Sequence, residues 1–150
     1  MTLIVVNNGE VLVDSLQTFG ASEHTVNKVQ SFLGVKFACA GSPDTALTLM
    51  RACEKSGEFD FSARPRGTGD GTVIVSKVHD RVRVLEDFST EELIWRDVAD
   101  SGSTEDMASY VAGAGAEQFL GFALSGDSVI RAFEKTAHVN AFVGLPIVRF

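Results

Sequence analysis

A tight-turn signal between two short apolar runs constrains the fold more than any other feature of this chain. Residues 3–6 and 10–13 are rich in β-branched side chains, and Asn7-Asn8-Gly9 lies between them. Asparagine followed by glycine favours a tight turn, because both residues tolerate the positive φ angles that such turns require. We therefore predict a β-hairpin. If its turn is centred on Asn8, the numbers of paired residues sum to about 16, which places Thr2 directly opposite Asp14.

Thr2 stands beside Met1, and removal of Met1 would make it the N-terminal residue. An N-terminal threonine combines a hydroxyl nucleophile with its own general base, the α-amine. A lysine ammonium near that amine would keep it neutral through repulsion of like charges, and a carboxylate would hold the lysine in place. Lys28 lies in a further extended segment predicted over residues 24–33. Thr2, Asp14 and Lys28 are therefore a candidate catalytic set, although each also has an ordinary strand or turn role open to it.

The pattern of a helix start follows this region at Gly41-Ser42-Pro43-Asp44. Ser42 is a good N-cap, proline is favoured at the first helical position, and Asp44 faces the positive end of the helix dipole. The apolar run at residues 35–40 predicts a central strand before the helix. Apolar residues at helical spacing extend the helix to about residue 55.

The rest of the chain predicts further strands and two more helices. We predict a loop over residues 56–71, strands over 72–78, 81–86 and 93–99, a loop over 100–106, a second helix, a third helix over 128–137, and strands over 139–143 and 147–150. Small residues mark the second helix, namely Ala108, Ala112, Gly113 and Ala114. Runs of strands separated by helices favour the α+β class, with two sheets face to face and helices outside them. We expect a four-layer αββα sandwich in a single domain over residues 1–150.

The composition favours a soluble, cytoplasmic protein without a cofactor, a metal, a membrane or a nucleic acid as partner. The formal net charge of −7 opposes the basic field that non-specific nucleic-acid binding needs. No apolar run approaches the roughly 20 residues that span a bilayer, and the N-terminus lacks the pattern of a signal peptide. Cys39 and Cys53 lie isolated in apolar segments, and the histidines do not fit a metal cluster. We therefore expect buried free thiols.

The sequence resembles the proteasome-like Ntn hydrolases, meaning the proteasome β subunits and the bacterial double-ring peptidase that works with an ATP-driven unfoldase. The similarity is strongest in the first third of the chain. It runs through Thr2-Leu3-Ile4-Val5-Val6, Asn8-Gly9, Asp14, Thr18-Phe19-Gly20, Asn27-Lys28-Val29, Phe37-Ala38-Cys39-Ala40-Gly41-Ser42, Asp44-Thr45-Ala46-Leu47-Thr48-Leu49 and, weakly, Ser101-Gly102-Ser103.

The resemblance implies a role for each of five residues. In the family the N-terminal threonine is the nucleophile, a lysine tunes it, an aspartate supports the lysine, and a glycine before the first helix supplies an oxyanion-hole N–H. These roles fall on Thr2, Lys28, Asp14 and Gly41, and Ser101 matches a serine that hydrogen-bonds the threonine amine. A helix N-terminus also suits Gly41 to binding an anion. The resemblance further implies peptide or unfolded-protein substrates, a homo-oligomeric ring and a possible ATP-dependent unfoldase as partner.

The sequence also departs from the family pattern. Val13 and Ser15 flank Asp14 where the family usually has glycines, a loop over residues 56–71 replaces a helix, and His138 and Asn140 stand where the family presents an aspartate. Two alternatives to a threonine peptidase therefore stay open. One is a non-catalytic structural or assembly protein that keeps the fold, such as a phage or accessory ring component, which a retained Met1 would favour. The other is a different N-terminal-nucleophile amidase acting on a small amide.

Overall fold

The structure is a computed structural model that describes residues 1–19, 21–98 and 108–150. These residues form a mixed α/β fold with three helices and several antiparallel sheets. In chain order the elements are β1 (Leu3–Asn7), β2 (Glu10–Val13), β3 (Leu16–Phe19), β4 (Ser22–Thr25), β5 (Gln30–Phe32), β6 (Val35–Ala40), α1 (Pro43–Ala52), β7 (Glu54–Lys55), β8 (Glu58–Phe59), β9 (Val73–Val78), β10 (Arg81–Glu86), β11 (Arg96–Asp97), β12 (Tyr110–Gly113), α2 (Ala116–Leu124), α3 (Val129–Val139) and β13 (Val148–Arg149). None of these helices is long and apolar enough to cross a membrane.

The first hairpin forms as predicted, but its register differs by one residue. Asn8 and Gly9 have φ angles of 52° and 72° and make a two-residue turn, so Asn7 still belongs to β1. Ile4 pairs with Val13, and the numbers of paired residues therefore sum to 17. The prediction that Thr2 lies opposite Asp14 is wrong. The residue opposite Asp14 is Leu3, whose carbonyl oxygen accepts the Asp14 N–H at 3.2 Å.

Two sheets form the centre of the fold. One has four strands in the spatial order β12-β1-β2-β13, and the other has five in the order β11-β10-β9-β6-β5. The hairpins β3–β4 and β7–β8 belong to neither sheet. Because β1 lies between β12 and β2, the N-terminal strand is an inner strand of its sheet. Strand β1 is therefore fixed from both sides.

Both sheets bury apolar side chains on each of their faces. One core cluster contains residues of both sheets, among them Ile4, Val6, Val11, Val13, Ala38, Val75 and Val84. A second cluster joins the five-stranded sheet to α1 through Ala46, Leu49, Met50 and Cys53. A third joins the four-stranded sheet to α2 and α3 through Phe119, Val129, Ala132 and Phe133. Because removing apolar area from water stabilises a fold by about 25 cal/mol per Å², these clusters hold the helices against the sheets.

Helices α1 and α3 begin where the sequence predicts. Ser42 Oγ accepts the Thr45 N–H at 3.3 Å, and Pro43 is the first helical residue of α1. Ser128 caps α3 in the same way, with its Oγ accepting the Arg131 N–H at 3.2 Å. Each cap satisfies an N–H group that has no partner within the helix. Helix α1 ends at Ala52, earlier than expected.

The second helix does not include the small residues that predicted it. Ala112 and Gly113 lie in β12, which pairs with β1, and α2 begins only at Ala116. Gly113 and Gly115 have φ angles of 93° and 73°, which lie outside the helical region. A Cβ atom on Gly113 would be 1.8 Å from Thr2 O. The small residues therefore permit a close approach to β1, and strand pairing overrides the helical preference.

Other predicted strands differ in extent. The segment 24–33 is divided between β4 and β5, and Lys28 lies in the connection between them. Only Arg96–Asp97 is a strand within 93–99, and residue 99 lies outside the described residues. Residues 139–143 form no strand: Val139 is the last residue of α3, and residues 141–142 lie in a turn. The two strands predicted over 72–78 and 81–86 are confirmed as β9 and β10.

Candidate active site

The carboxylate of Asp14 is fully buried and accepts hydrogen bonds from three backbone amides. Its Oδ1 accepts the Leu3 N–H at 3.0 Å, and its Oδ2 accepts the N–H groups of Leu16 and Gly144, each at 3.2 Å. Backbone from distant parts of the chain thus converges on one side chain. An ionised carboxylate suits this position, because it accepts hydrogen bonds and donates none.

Lys28 supplies the positive charge beside Asp14. Its Nζ lies 3.0 Å from Asp14 Oδ1 and 3.1 Å from Oδ2, and its side chain is only 12% exposed. The same Nζ donates to Met1 O at 2.5 Å. Because the Met1 carbonyl carbon is bonded to Thr2 N, the Lys28 Nζ lies within about 5 Å of that nitrogen. The structure therefore brings Asp14, Lys28 and the backbone nitrogen of Thr2 together.

Thr2 and Gly41 line one cavity of about 720 Å³. Thr2 continues the line of β1, and its carbonyl oxygen accepts the Ala114 N–H at 2.9 Å. Gly41 follows the last residue of β6 and has a φ of 122°, a conformation that favours glycine. Most other residues that line the cavity are apolar or small, including Val73, Phe88, Val111, Ala112 and Ala116. The cavity has room for part of a peptide beside both residues.

The resemblance implies two further parts of the site. Ser101 lies outside the described residues. After α3, where the family presents an aspartate, Asn140 Nδ2 donates to Gln118 Oε1 at 2.9 Å and Asn140 Oδ1 accepts the Phe142 N–H at 2.9 Å. His138 is exposed. This segment therefore has a neutral amide whose hydrogen bonds are already used nearby.

Sequence reasoning missed the contribution of residues 140–146 to the site. In addition to the Gly144 amide on Asp14, Ser15 Oγ donates to Pro146 O at 2.7 Å and Ser15 N donates to Gly144 O at 3.1 Å. A Cβ atom on Gly144 would be 2.6 Å from Leu16 Cβ, so glycine permits this approach. The only signal in the sequence is the pair Gly144 and Pro146, which interrupts an apolar run. Contacts between residues so far apart leave no local pattern.

Two buried thiols lie in the same part of the fold as α1. Burial raises the pKa of Cys39, although the N-terminal ammonium and Lys28 act in the opposite direction. Burial also raises the pKa of Cys53, whose Sγ accepts the Trp95 Nε1–H at 3.4 Å. Both cysteines are free, as expected. Within the described ranges, no group of three or more His, Cys, Asp or Glu side chains is placed to hold a metal ion.

Solved structures share the fold of this chain at low sequence identity. BPH from Thiobacillus denitrificans has a TM-score of 0.58 and 13% identity, covering 99% of this chain and 95% of that one. The same protein in complex with epoxomicin has a TM-score of 0.57 and 13% identity, covering 99% and 96%. Eukaryotic HslV from Trypanosoma brucei has a TM-score of 0.57 and 12% identity, covering 100% and 98%. No protein-family model and no curated protein matches the sequence. The chain therefore has a proteasome-like fold.

Proposed function

We propose that this protein is an N-terminal threonine hydrolase that cleaves peptide amide bonds once Met1 has been removed. The observation that supports this most is the position of Lys28 Nζ, which lies between the Asp14 carboxylate and the Met1 carbonyl oxygen. The carbon of that carbonyl is bonded to Thr2 N. Removal of Met1 takes away one acceptor of Lys28 and leaves the Thr2 amine in its place. An ammonium at that distance favours the neutral amine, which is the form that acts as a base.

The proposed reaction uses Thr2 as both nucleophile and base. The neutral amine takes the proton of the Thr2 hydroxyl while Oγ attacks the amide carbonyl, and the Gly41 N–H donates to the resulting oxyanion. Collapse of the tetrahedral intermediate transfers the proton to the departing amine and leaves an ester on Oγ. Water then attacks the ester, again with the amine as base, and releases the carboxylic acid. In this proposal Ser101 hydrogen-bonds the amine, and Asp14 keeps Lys28 in place.

We also propose the finer architecture that accompanies this function. The three core clusters fit a four-layer αββα sandwich in a single domain, with α1 on one side and α2 and α3 on the other. By analogy with the proteasome-like family, the protein forms a homo-oligomeric ring in the cytoplasm, acts on peptides or unfolded proteins, and has an ATP-dependent unfoldase as a possible partner. Light scattering tests the ring, because a mass equal to a single chain at micromolar concentration would contradict it.

Covalent labelling of Thr2 tests the activity directly. Intact-mass spectrometry first establishes the loss of one methionine residue. Epoxomicin, the ligand named in the Thiobacillus denitrificans BPH complex, is then the probe, since an epoxyketone offers electrophiles to both the hydroxyl and the amine of an N-terminal threonine. We expect one adduct on Thr2 and hydrolysis of a fluorogenic peptide amide. The matched control is an N-terminal fusion that keeps Thr2 internal, which should show neither. A processed protein that shows neither would contradict the proposal.

The neutral side chain of Asn140 favours a second candidate function, in which the protein is a structural or assembly component that keeps the fold without the chemistry. Its amide is engaged by Gln118 and by the Phe142 N–H, so no carboxylate is offered at that position. This candidate predicts an intact mass that includes Met1, no epoxomicin adduct, and an assembly that forms equally well after Thr2→Ala.

A further inference from the structure

A buried hydroxyl holds the turn that contains Gly41. Thr72 is fully buried directly before β9, and its Oγ1 accepts the Ser42 N–H at 3.1 Å. The turn also approaches Thr72 closely, because a Cβ atom on Gly41 would lie 2.8 Å from Thr72 Oγ1 and 2.9 Å from Thr72 Cα. No side chain larger than that of glycine fits between them. Thr72 therefore contacts both Gly41 and Ser42, and the orientation of this turn depends on these two residues.

The backbone of Thr72 is itself held by the carboxylate of Asp70. Thr72 N donates to Asp70 Oδ1 at 2.9 Å, and Thr45 Oγ1 donates to Asp70 Oδ2 at 2.6 Å. Hydrogen bonds from the Thr45 hydroxyl and from Thr72 lower the pKa of Asp70. Asp70 thus ties the first turn of α1 to the start of β9. Ser42, Thr45, Asp70 and Thr72 thus form a hydrogen-bonded network around this turn.

The Gly41 amide needs such a supporting network if it is to bind an oxyanion. Glycine has the widest choice of φ and ψ of any residue, so its two flanking peptides rotate easily unless they are fixed. The peptide before Gly41 carries the Gly41 N–H, and only its Ala40 end belongs to β6, where Ala40 pairs with Val73. Its other end is Gly41 itself, which is held by the close packing against Thr72 and by the Ser42 N–H that donates to Thr72 Oγ1. An oxyanion donor contributes to the rate only when it already points at the developing charge.

We propose that Thr72 is a positioning residue for the oxyanion site, which holds the Gly41 end of the peptide that carries the donor N–H by packing against Gly41 and by accepting the Ser42 N–H. This inference rests on the proposed hydrolase function. It assigns Thr72 no contact with substrate. The hydroxyl acts through the turn, so its loss lowers kcat more than it changes KM.

The test compares Thr72→Val, which keeps the shape but loses the hydroxyl, with Thr72→Ser, which keeps the hydroxyl. Thr136→Val is the matched control, because Thr136 is equally buried but donates to Ala132 O within α3. We expect Thr72→Val to lower kcat on a peptide amide by about tenfold to a hundredfold, with KM within about twofold. Thr72→Ser should restore most of the rate. Thr136→Val should leave kcat within about twofold while lowering thermal stability.

Amide hydrogen exchange at Ser42 provides a readout that does not need activity. We expect the Ser42 amide to exchange about tenfold faster in Thr72→Val than in the wild type and in Thr72→Ser. A Thr72→Val protein with wild-type kcat, or with a loss no larger than that of Thr136→Val, would overturn the inference. If the processed wild type has no activity, the proposed function fails, and equal Ser42 exchange in all variants would overturn the role of Thr72 in the turn as well.

Discussion

Two segments meet at Asp14, and they contribute in opposite ways. Lys28 brings a charge, since its ammonium lies 3.0 Å from the carboxylate. Residues 140–146 bring only backbone groups and neutral side chains, with Gly144 donating an amide and Asn140 engaged elsewhere. Backbone amides therefore hold Asp14 in place, and of these two segments only the one with Lys28 brings a charge near Thr2. Substitutions in each segment separate these two contributions.

The largest effect is expected from Thr2→Ala. Removing the only proposed nucleophile should reduce kcat/KM on a fluorogenic peptide amide by about three orders of magnitude or more. The fold should persist, because β1 keeps its partners on both sides. Thr25→Ala, at an exposed position of β4, is the control for the same substitution and should retain full activity. Equal rates for both variants would remove Thr2 from the mechanism.

Lys28→Ala should have the next largest effect and separates charge from structure. We expect kcat to fall by about a hundredfold, since the Thr2 amine loses the neighbouring charge that keeps it neutral. The unfolding free energy should fall by only about 1–3 kcal/mol, because Asp14 keeps its three amide donors. Lys36→Ala, at an exposed position of β6, serves as control in both the kinetic assay and denaturant unfolding. Loss of the fold without Lys28 would show that the ion pair is mainly structural.

The thiol of Cys39 reports on the same lysine with a smaller effect. Because burial raises its pKa above 9.0, iodoacetamide should label it at least about tenfold more slowly in the folded protein than after unfolding. Lys28→Ala should slow the labelling further, since Lys28 lowers this pKa. Peptide mapping by mass spectrometry distinguishes Cys39 from Cys53. Faster labelling after Lys28→Ala would contradict the electrostatic account.

The raised thiol pKa also sets the sign of a stability change with pH. Below pH 9.0, the usual thiol pKa, both states are protonated and the thiols add no pH dependence. Above that value the unfolded chain loses thiol protons that the folded protein keeps. The thiols therefore lower the unfolding free energy as the pH rises from 9.0 towards their folded pKa. Denaturant unfolding between pH 8 and 10 checks this decrease in the unfolding free energy, which should be smaller in Cys39→Ala.

Asn140→Asp should have the smallest effect. The new carboxylate keeps the acceptor for the Phe142 N–H and loses the donor to Gln118. If Lys28 alone tunes Thr2, kcat/KM should stay within about threefold of wild type. Gln118→Glu offers a matched control, because it alters the same hydrogen bond from the other side. A tenfold gain for Asn140→Asp would show that this segment limits the rate, and the two segments would then be electrostatic partners.

Local patterns predicted the parts of the fold that depend on neighbours in sequence. The Asn8-Gly9 turn, the Ser42 cap and the Ser128 cap each involve residues within a few positions of one another. The failures involve distant partners. Residues 110–113 became β12 because β1 was available to pair with them, and the exact hairpin register depended on whether Asn7 joined the turn.

The same distinction applies to the candidate site. A carboxylate and a lysine near the N-terminus were visible in the sequence as a plausible set, and the structure places their charged groups in contact. The Gly144 amide, the Ser15 hydroxyl and the Thr72 hydroxyl were not visible, because each acts on a residue at least 30 positions away. Turn and capping rules describe only short separations, so they could not identify these groups.

The contact between Gly144 and Asp14 also sets a time at which the site is assembled during synthesis. The two residues are 130 positions apart, and Asp14 lacks one of its donors until Gly144 has been added to the chain. At a synthesis rate of about 5–20 residues per second, this interval lasts roughly 7–26 s. The strand that carries Thr2 likewise waits for β12 before both of its edges are paired. During synthesis, β1 and Asp14 therefore leave the ribosome before the backbone groups that surround them in the folded protein have been made.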